Sequence, residues 1–188
     1  MLFRSAVLVI DNSSDPERSC REMPPTSVPV KVVHVENKGF GAACNVGISL
    51  LNGEPGRLLW ILNNDTIVDR DCLQLLTAAI QSGECEIAVP TIIDGHSKTV
   101  WYAGGHWDQR RGWTVHHQWG QPEEDVMSDG TTELISGCSF LAKASTLTSL
   151  RGFDESFFMY CEDVDLSIRA SRSGLVTNHI VEIGRAHV

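Results

Sequence analysis

Leu58-Leu59-Trp60-Ile61-Leu62-Asn63-Asn64-Asp65 runs from five large apolar side chains straight into three short polar ones, the last a carboxylate. A continuous apolar run of this length, closed by turn formers, reads as a strand buried on both faces, as in a parallel sheet. In open α/β sheets ligands bind outside the carboxyl ends of the strands. An Asp at that end can offer oxygens to a hard divalent cation, which commonly also holds substrate phosphates. A plain strand followed by an Asn-Asp turn explains the same residues, so the segment has to be weighed with what surrounds it.

Outward from this strand, strands and helices alternate. Upstream, residues 6–11 (AVLVID) form a buried-type strand closed by Asn12-Ser13-Ser14-Asp15-Pro16. A polar, Pro-rich stretch to Val28 predicts a short helix and a loop, and residues 30–36 (VKVVHVE) a second strand. Phe40, Ala43, Cys44, Gly47, Ile48 and Leu51 then recur on one helical face, stopped by Gly53. Downstream, Cys72, Leu75, Leu76, Ala79 and Ile80 repeat that spacing up to Gly83. The βαβαβ order predicts a three-layer α/β sandwich with a mostly parallel central sheet, in which 6–11, 30–36 and 58–62 are neighbouring parallel strands. Their carboxyl ends should bring Asp11 and Asp65 to one rim.

The second half predicts strands within 86–94, 100–105 and 133–143, and a short helix over 144–150. Residues 106–130 show no periodicity and read as an excursion over the sheet, a hairpin or an acceptor-facing loop. Ser136-Gly137 interrupts its strand, and Gly inside a strand marks a bulge or the close approach of a ligand.

Composition narrows the function classes. The 188 residues suit one domain, and 42% hydrophobic with 21% charged residues is ordinary for a soluble globular chain. A net charge of -9 argues against a nucleic-acid partner. No stretch approaches the length of a transmembrane span. Six scattered cysteines without a CxxC pair read as reduced, buried thiols of a cytosolic protein. His116-His117 is read as surface, because adjacent residues on a strand point to opposite faces.

The other informative stretch is Gly152-Phe153-Asp154-Glu155-Ser156-Phe157-Phe158-Met159-Tyr160-Cys161-Glu162-Asp163-Val164-Asp165-Leu166, leading into a helix that ends near Ser173. Glu162, Asp163 and Asp165 fall in its first turn, where free N–H groups and the helix dipole stabilise carboxylates. Capping alone explains one or two of them. The aromatic run before them would supply the partly dry surroundings in which a carboxylate works as a general base.

Taken together, Val9-Ile10-Asp11-Asn12-Ser13-Ser14-Asp15, Glu36-Asn37-Lys38-Gly39-Phe40-Gly41 with Asn45 and Gly47, Leu62-Asn63-Asn64-Asp65, Ser136-Gly137, and the 152–166 stretch resemble the landmarks of family 2 inverting glycosyltransferases with the GT-A fold, on their rhamnosyltransferase-like branch. The resemblance spans nearly the whole chain. It implies a metal-dependent, inverting transfer of a sugar from a nucleotide-sugar donor to a hydroxyl of a glycan or lipid-linked acceptor, as in cell-envelope polysaccharide biosynthesis. The donor it favours is dTDP-rhamnose, with UDP- and GDP-sugars open, and the cation is Mg²⁺ or Mn²⁺. By the resemblance Asp11 contacts the donor base, Lys38 lies near the nucleotide and Asn64 faces the ribose. Asp65 carries the metal and Asp163 is the general base, with Gly137 and Glu162 on the acceptor side. The implied location is cytoplasmic, peripheral at the inner face of the membrane. Inverting chemistry independently needs one base for the acceptor proton and one cation for the departing diphosphate, and Asp163 and Asp65 supply that minimum.

Two features of the ends stand beside this reading. The resemblance implies one more strand and a donor loop before residue 6, so the sheet would lack an inner strand. Residues 182–188 (EIGRAHV) also read as a translated sequencing adapter, a non-native tail after a single domain over 1–181, which competes with His187 as a further metal ligand. A non-catalytic nucleotide-binding module and an incomplete, inactive fragment are the alternative function classes.

Overall fold

The structure is a computed structural model that describes residues 5–15, 17, 19–20, 26–127 and 130–187, with side chains described up to residue 181. The short helix expected before Val28 falls largely on residues outside that set. In chain order the elements are β1 (Val7–Asp11), β2 (Val30–His34), α1 (Phe40–Leu51), β3 (Leu58–Leu62), β4 (Ile67–Val68), α2 (Cys72–Ser82), β5 (Ile87–Ile93), β6 (Val100–Tyr102), β7 (Gly105–Asp108), β8 (Trp113–His116), β9 (Gly130–Thr131), β10 (Ser139–Lys143), α3 (Ala144–Ser149), α4 (Glu162–Arg172) and β11 (Thr177–His187).

Helices cover both faces of the main sheet, so the three-layer α/β arrangement expected from the alternation is present. Its order is β3-β10-β5-β11-β4, with β6 on β5 and β9 on β11. The period-2 alternation of strand side chains divides the core. Ala88 and Leu141 face Cys72, Leu76 and Ile80 of α2, while Ile87, Val89, Phe140 and Ala142 face Ile48, Leu147 and Leu166 of α1, α3 and α4. The all-buried β5, rich in Val and Ile, is the central strand.

The strand pairing differs from expectation. β1 and β2 are parallel, Asp11 lying opposite His34, but they form a separate two-stranded sheet. β3 pairs with neither; its partner is the antiparallel β10. The sheet is therefore mixed: β3, β5 and β11 run one way and β10 runs against them between β3 and β5. Local hydrophobic runs mark a buried strand but carry no information about which distant strand takes its edge. Among the described residues no strand occupies the free edge of β1 or of β3, and α1 packs across both strands to hold the two sheets together.

The excursion contains the β7–β8 hairpin, where His106 of β7 meets His117, just past the end of β8, at 3.2 Å. The backbone of β11 continues through the tail to His187 beside Ile93; the side chain of His187 lies outside the described set. All six cysteines are free, but Cys161 is exposed, against the expectation of buried thiols. Burial pushes Cys44 and Cys72 up to about 12, which keeps them inert thiols.

Candidate functional site: two carboxylates around one turn

Because β10 runs antiparallel to β3, it starts where β3 ends, with Ser139 opposite Leu62. That places the Ser136–Cys138 turn beside Asn63–Asp65. The Asn63 N–H donates to the Cys138 carbonyl at 2.9 Å, and the Thr66 hydroxyl lies 3.6 Å from Cys138 Sγ. On its other side the Gly137 N–H donates to Oδ2 of Asp163 at 3.0 Å. One three-residue turn thus joins the end of β3, which carries Asp65, to the start of α4, which carries Asp163.

The first turn of α4 sorts its acids into different jobs. Asp163 is half-buried, with Oδ1 accepting from the Val164 N–H at 2.8 Å as well as Oδ2 from Gly137. Asp165 pairs with Arg169 one turn on, at 2.7 Å from both Nε and Nη2, so it is committed to the helix. Glu162 is buried, with 8% exposure, and among the described residues its Oε2 has no hydrogen-bond partner. Burial, followed by the charge of Asp163, holds the Glu162 carboxyl above its ordinary value.

The aromatic run does not build the dry wall expected of it. Phe158, Met159 and Tyr160 are exposed, Tyr160 at 77%. Tyr160 and Cys161 enter α4 with φ of 66° and 69°, left-handed conformations that cost non-glycine residues about 1–3 kcal/mol each. Such strain tends to persist where the surroundings over-determine a functional geometry. The apolar neighbour at the Gly137–Asp163 contact is Phe40: a Cβ on Gly137 would sit 3.3 Å from its ring and 3.4 Å from Asp163 Oδ2. A side chain there would be tight on the ring side, asking Phe40 to give by a few tenths of an ångström, and in near-ordinary contact with the carboxylate.

The side on which the resemblance places the donor is reached through α1. Gly39, at φ 100°, precedes α1, and a Cβ on it would run into the Phe158 carbonyl, so the 154–161 loop rests on bare backbone. Asn12 donates to the Gly39 carbonyl at 3.4 Å, and Asn37 accepts from Gly39 N–H at 3.2 Å. Contacts therefore run unbroken from the loop after β1, through Gly39 and Phe40, to Gly137 and Asp163. Asn45, a landmark without a role in the sequence, proves to be a brace. Its amide exchanges hydrogen bonds with Phe153 N–H and C=O at 2.8 and 2.9 Å and reaches Glu155 at 3.0 Å.

Asp11, for which the resemblance implies a contact with the donor base, is held firmly to the loop after β1. Its side chain is only 8% exposed, and its oxygens already accept from the Ser19 hydroxyl (2.6 Å), the Cys20 N–H (2.8 Å), the Ser13 N–H (2.9 Å) and His34 Nδ1 (3.1 Å). The Ser19 hydroxyl first, then the Ser13 and Cys20 amides, hold its carboxyl down at about 2. Asp11 is the organiser of the loop. His34 and Ser19, which no motif marks, are its partners, and only the parallel register of β1 and β2 reveals them. Lys38 is exposed and pairs with Glu36 at 3.2 Å, and Asn64 is exposed at the rim.

Asp65 is exposed, and among the described residues its oxygens have no partner. Among the same residues no three His, Cys, Asp or Glu side chains gather closely enough to hold a metal ion. A single uncommitted carboxylate at a strand end nonetheless fits Mg²⁺-type binding, in which one or two carboxylates share the ion with substrate phosphates and water.

Fold and site together define a nucleotide-sugar transferase architecture, and the comparisons agree. The chain belongs to glycosyl transferase family 2, whose profile matches residues 4–147. It is similar to rhamnosyltransferase WbbL of Escherichia coli K12, 33% identical over 66 residues covering 35% of this chain and 25% of that one. It is also similar to the N-acetylglucosaminyl-diphospho-decaprenol L-rhamnosyltransferase of Mycobacterium tuberculosis, 32% identical over 92 residues covering 49% of this chain and 28% of that one. The matches thus span about a quarter of the length of these relatives. Among solved structures, GalNAc-T7 with UDP, GalNAc and Mn²⁺ superposes with a TM-score of 0.65 at 18% identity, over 84% of this chain and 31% of that one. TarS 1–349 of S. aureus gives 0.63 at 12% identity, over 97% and 50%. At these identities the two structures speak for the fold.

Proposed function

We propose that the chain is the donor- and base-bearing part of a metal-dependent, inverting glycosyltransferase acting on a hydroxyl of a glycan or lipid-linked acceptor. The observation that carries this reading is the Ser136–Cys138 turn, which ties the Asp65 strand end to the Asp163 helix start. Asp163 takes the proton of the attacking acceptor hydroxyl, its carboxylate aimed by the Gly137 N–H. Asp65 holds the Mg²⁺ or Mn²⁺, which supplies charge stabilisation for the departing nucleoside diphosphate. Asp11 contacts the donor base from the loop it holds together, Lys38 lies near the nucleotide and Asn64 faces the ribose. Gly137 and Glu162 border the acceptor.

The names of the two relatives support a rhamnosyl donor, for which the family resemblance favours dTDP-rhamnose, and the mycobacterial name supports a lipid diphosphate acceptor. Among the described residues no helix is long and apolar enough to cross a membrane. A peripheral place at the cytoplasmic membrane face suits such an acceptor. The test is transfer from dTDP-rhamnose, UDP-sugars and GDP-sugars to lipid-linked acceptors, with and without Mn²⁺. Metal-dependent product of inverted anomeric configuration is expected; a retained configuration would refute the mechanism.

A further inference from the structure

His106 and His117 lie 11 residues apart in the chain, and the β7–β8 hairpin turns them toward each other, Nδ1 of His106 standing 3.2 Å from Nε2 of His117. We propose that the two imidazoles form a binding site for a borderline divalent cation of the Zn²⁺ type, which clamps the base of the hairpin. The site stands on the hairpin alone. It is separate from the Mg²⁺ or Mn²⁺ of the transferase reading and holds or fails without it.

Geometry is the first argument. Two metal–nitrogen bonds of about 2.0–2.1 Å span 3.2 Å when they meet at about 100°, close to the tetrahedral arrangement Zn²⁺ adopts. The rings are tilted by 43° with centroids 5.4 Å apart, so they meet through their nitrogens and do not stack. As it stands, the pair shares one N–H between the two facing nitrogens. Moving that proton to the far nitrogen of its own ring frees both lone pairs for an ion, with no change in charge. The backbone beneath is fixed: His106 lies opposite Val115 in the ladder, and the His117 N–H donates to the Gly104 carbonyl at 3.0 Å. Ligands carried on strands keep their spacing better than ligands on loops.

The surroundings are the second. Both histidines are exposed, so water can complete the coordination shell that, among the described residues, no third His, Cys, Asp or Glu closes. Glu133, held against the Trp107 N–H at 3.1 Å, lies near enough for its charge to act on His117, and a carboxylate there favours a cation. His116 is occupied elsewhere, its ring packed edge-on against Trp101 and Tyr102. Imidazole nitrogens suit Zn²⁺ and its neighbours, whereas carboxylate oxygens suit Mg²⁺ and Mn²⁺. The chain would therefore sort two kinds of ion between the hairpin and Asp65. A two-stranded hairpin is marginally stable by itself, and an ion that binds only the paired strands stabilises them by mass action.

The test is calorimetry with histidine-detected NMR on the full chain, carrying no histidine tag, titrated with Zn²⁺ near neutral pH in excess Mg²⁺. A Zn²⁺ ion should bind, shift the ring resonances of His106 and His117 and slow amide exchange at the base of the hairpin. His106→Ala and His117→Ala should each weaken binding by about 10–100-fold or more, the cost of losing even an outer partner of a bound metal. Both side chains are exposed, so circular dichroism should show the fold unchanged in either variant. His116→Ala should leave the affinity as it is. Ring resonances that do not move up to about 1 mM Zn²⁺, or an affinity that both histidine variants retain, would overturn the site. Zn²⁺ binding lost only in Cys161→Ser would overturn it too, by placing the ion on the exposed thiol.

Discussion

The Gly137 N–H holds Oδ2 of Asp163 at 3.0 Å, in a gap where a methyl group would meet the Phe40 ring at 3.3 Å and that oxygen at 3.4 Å. Gly137→Ala should therefore disturb the carboxylate while leaving the fold in place. The ring has to give by only a few tenths of an ångström, so a stability loss at the low end of overpacking, about 1 kcal/mol, is expected, together with a lower turnover. Urea unfolding and a transfer assay read the two effects. Wild-type turnover in the variant would sever Gly137 from the reaction.

Asp65 is an exposed carboxylate just past the end of β3, without a hydrogen-bond or ion-pair partner among the described residues. Mn²⁺ should bind weakly by itself and better with nucleoside diphosphate, because the phosphates complete its oxygen shell. Asp65→Ala should remove the Mn²⁺-dependent part of nucleotide affinity in calorimetry. Affinity that is the same in wild type and variant, with and without Mn²⁺, would take Asp65 out of the site.

Glu162 is buried with one oxygen unpaired, and its carboxyl is held above the ordinary 4.5. An acid with a raised folded-state value binds more protons folded than unfolded. Its ionisation therefore lowers stability as pH rises from about 4.5 through the raised value. Glu162→Gln should be more stable than wild type at neutral pH and indistinguishable in acid. Melting temperatures across that range decide it; a gap that stays constant with pH would contradict the burial of the charge.

Asp11 shows the opposite sign. Its carboxyl is held at about 2 instead of 3.8, so its contribution is complete above 3.8 and is lost as pH falls towards 2. Asp11→Ala should remove this acid dependence and speed amide exchange at Ser13 and Cys20, whose N–H groups it accepts. Unchanged protection at both amides would show that the loop keeps its shape without the carboxylate.

How much of this was legible depends on the range of the interaction. Leu58–Leu62, Phe40–Leu51, Cys72–Ser82 and Glu162–Arg172 follow from local periodicity and end close to where the sequence places them. The insertion of β10 beside β3 does not, because an apolar run of five residues fits either partner orientation. The same limit applies to the site. Asp65 and Asp163 announce themselves by type and context, whereas the Gly137 contact spans 26 residues and the Asn45 brace 108. Tyr160 and its neighbours misled because apolar residues beside an acid in sequence need not lie beside it in space.

The most direct measurement is the turnover of Asp163→Asn in a protein carrying this domain, with nucleotide and metal binding followed in parallel. Asn keeps the shape and still accepts from Gly137 but cannot take the acceptor proton. The expected result is a rate lower by about 10²–10⁴-fold, the usual cost of removing a general base, with binding of nucleoside diphosphate and Mn²⁺ preserved. Turnover within a few-fold of wild type would contradict Asp163 as the base and move the search to Glu162.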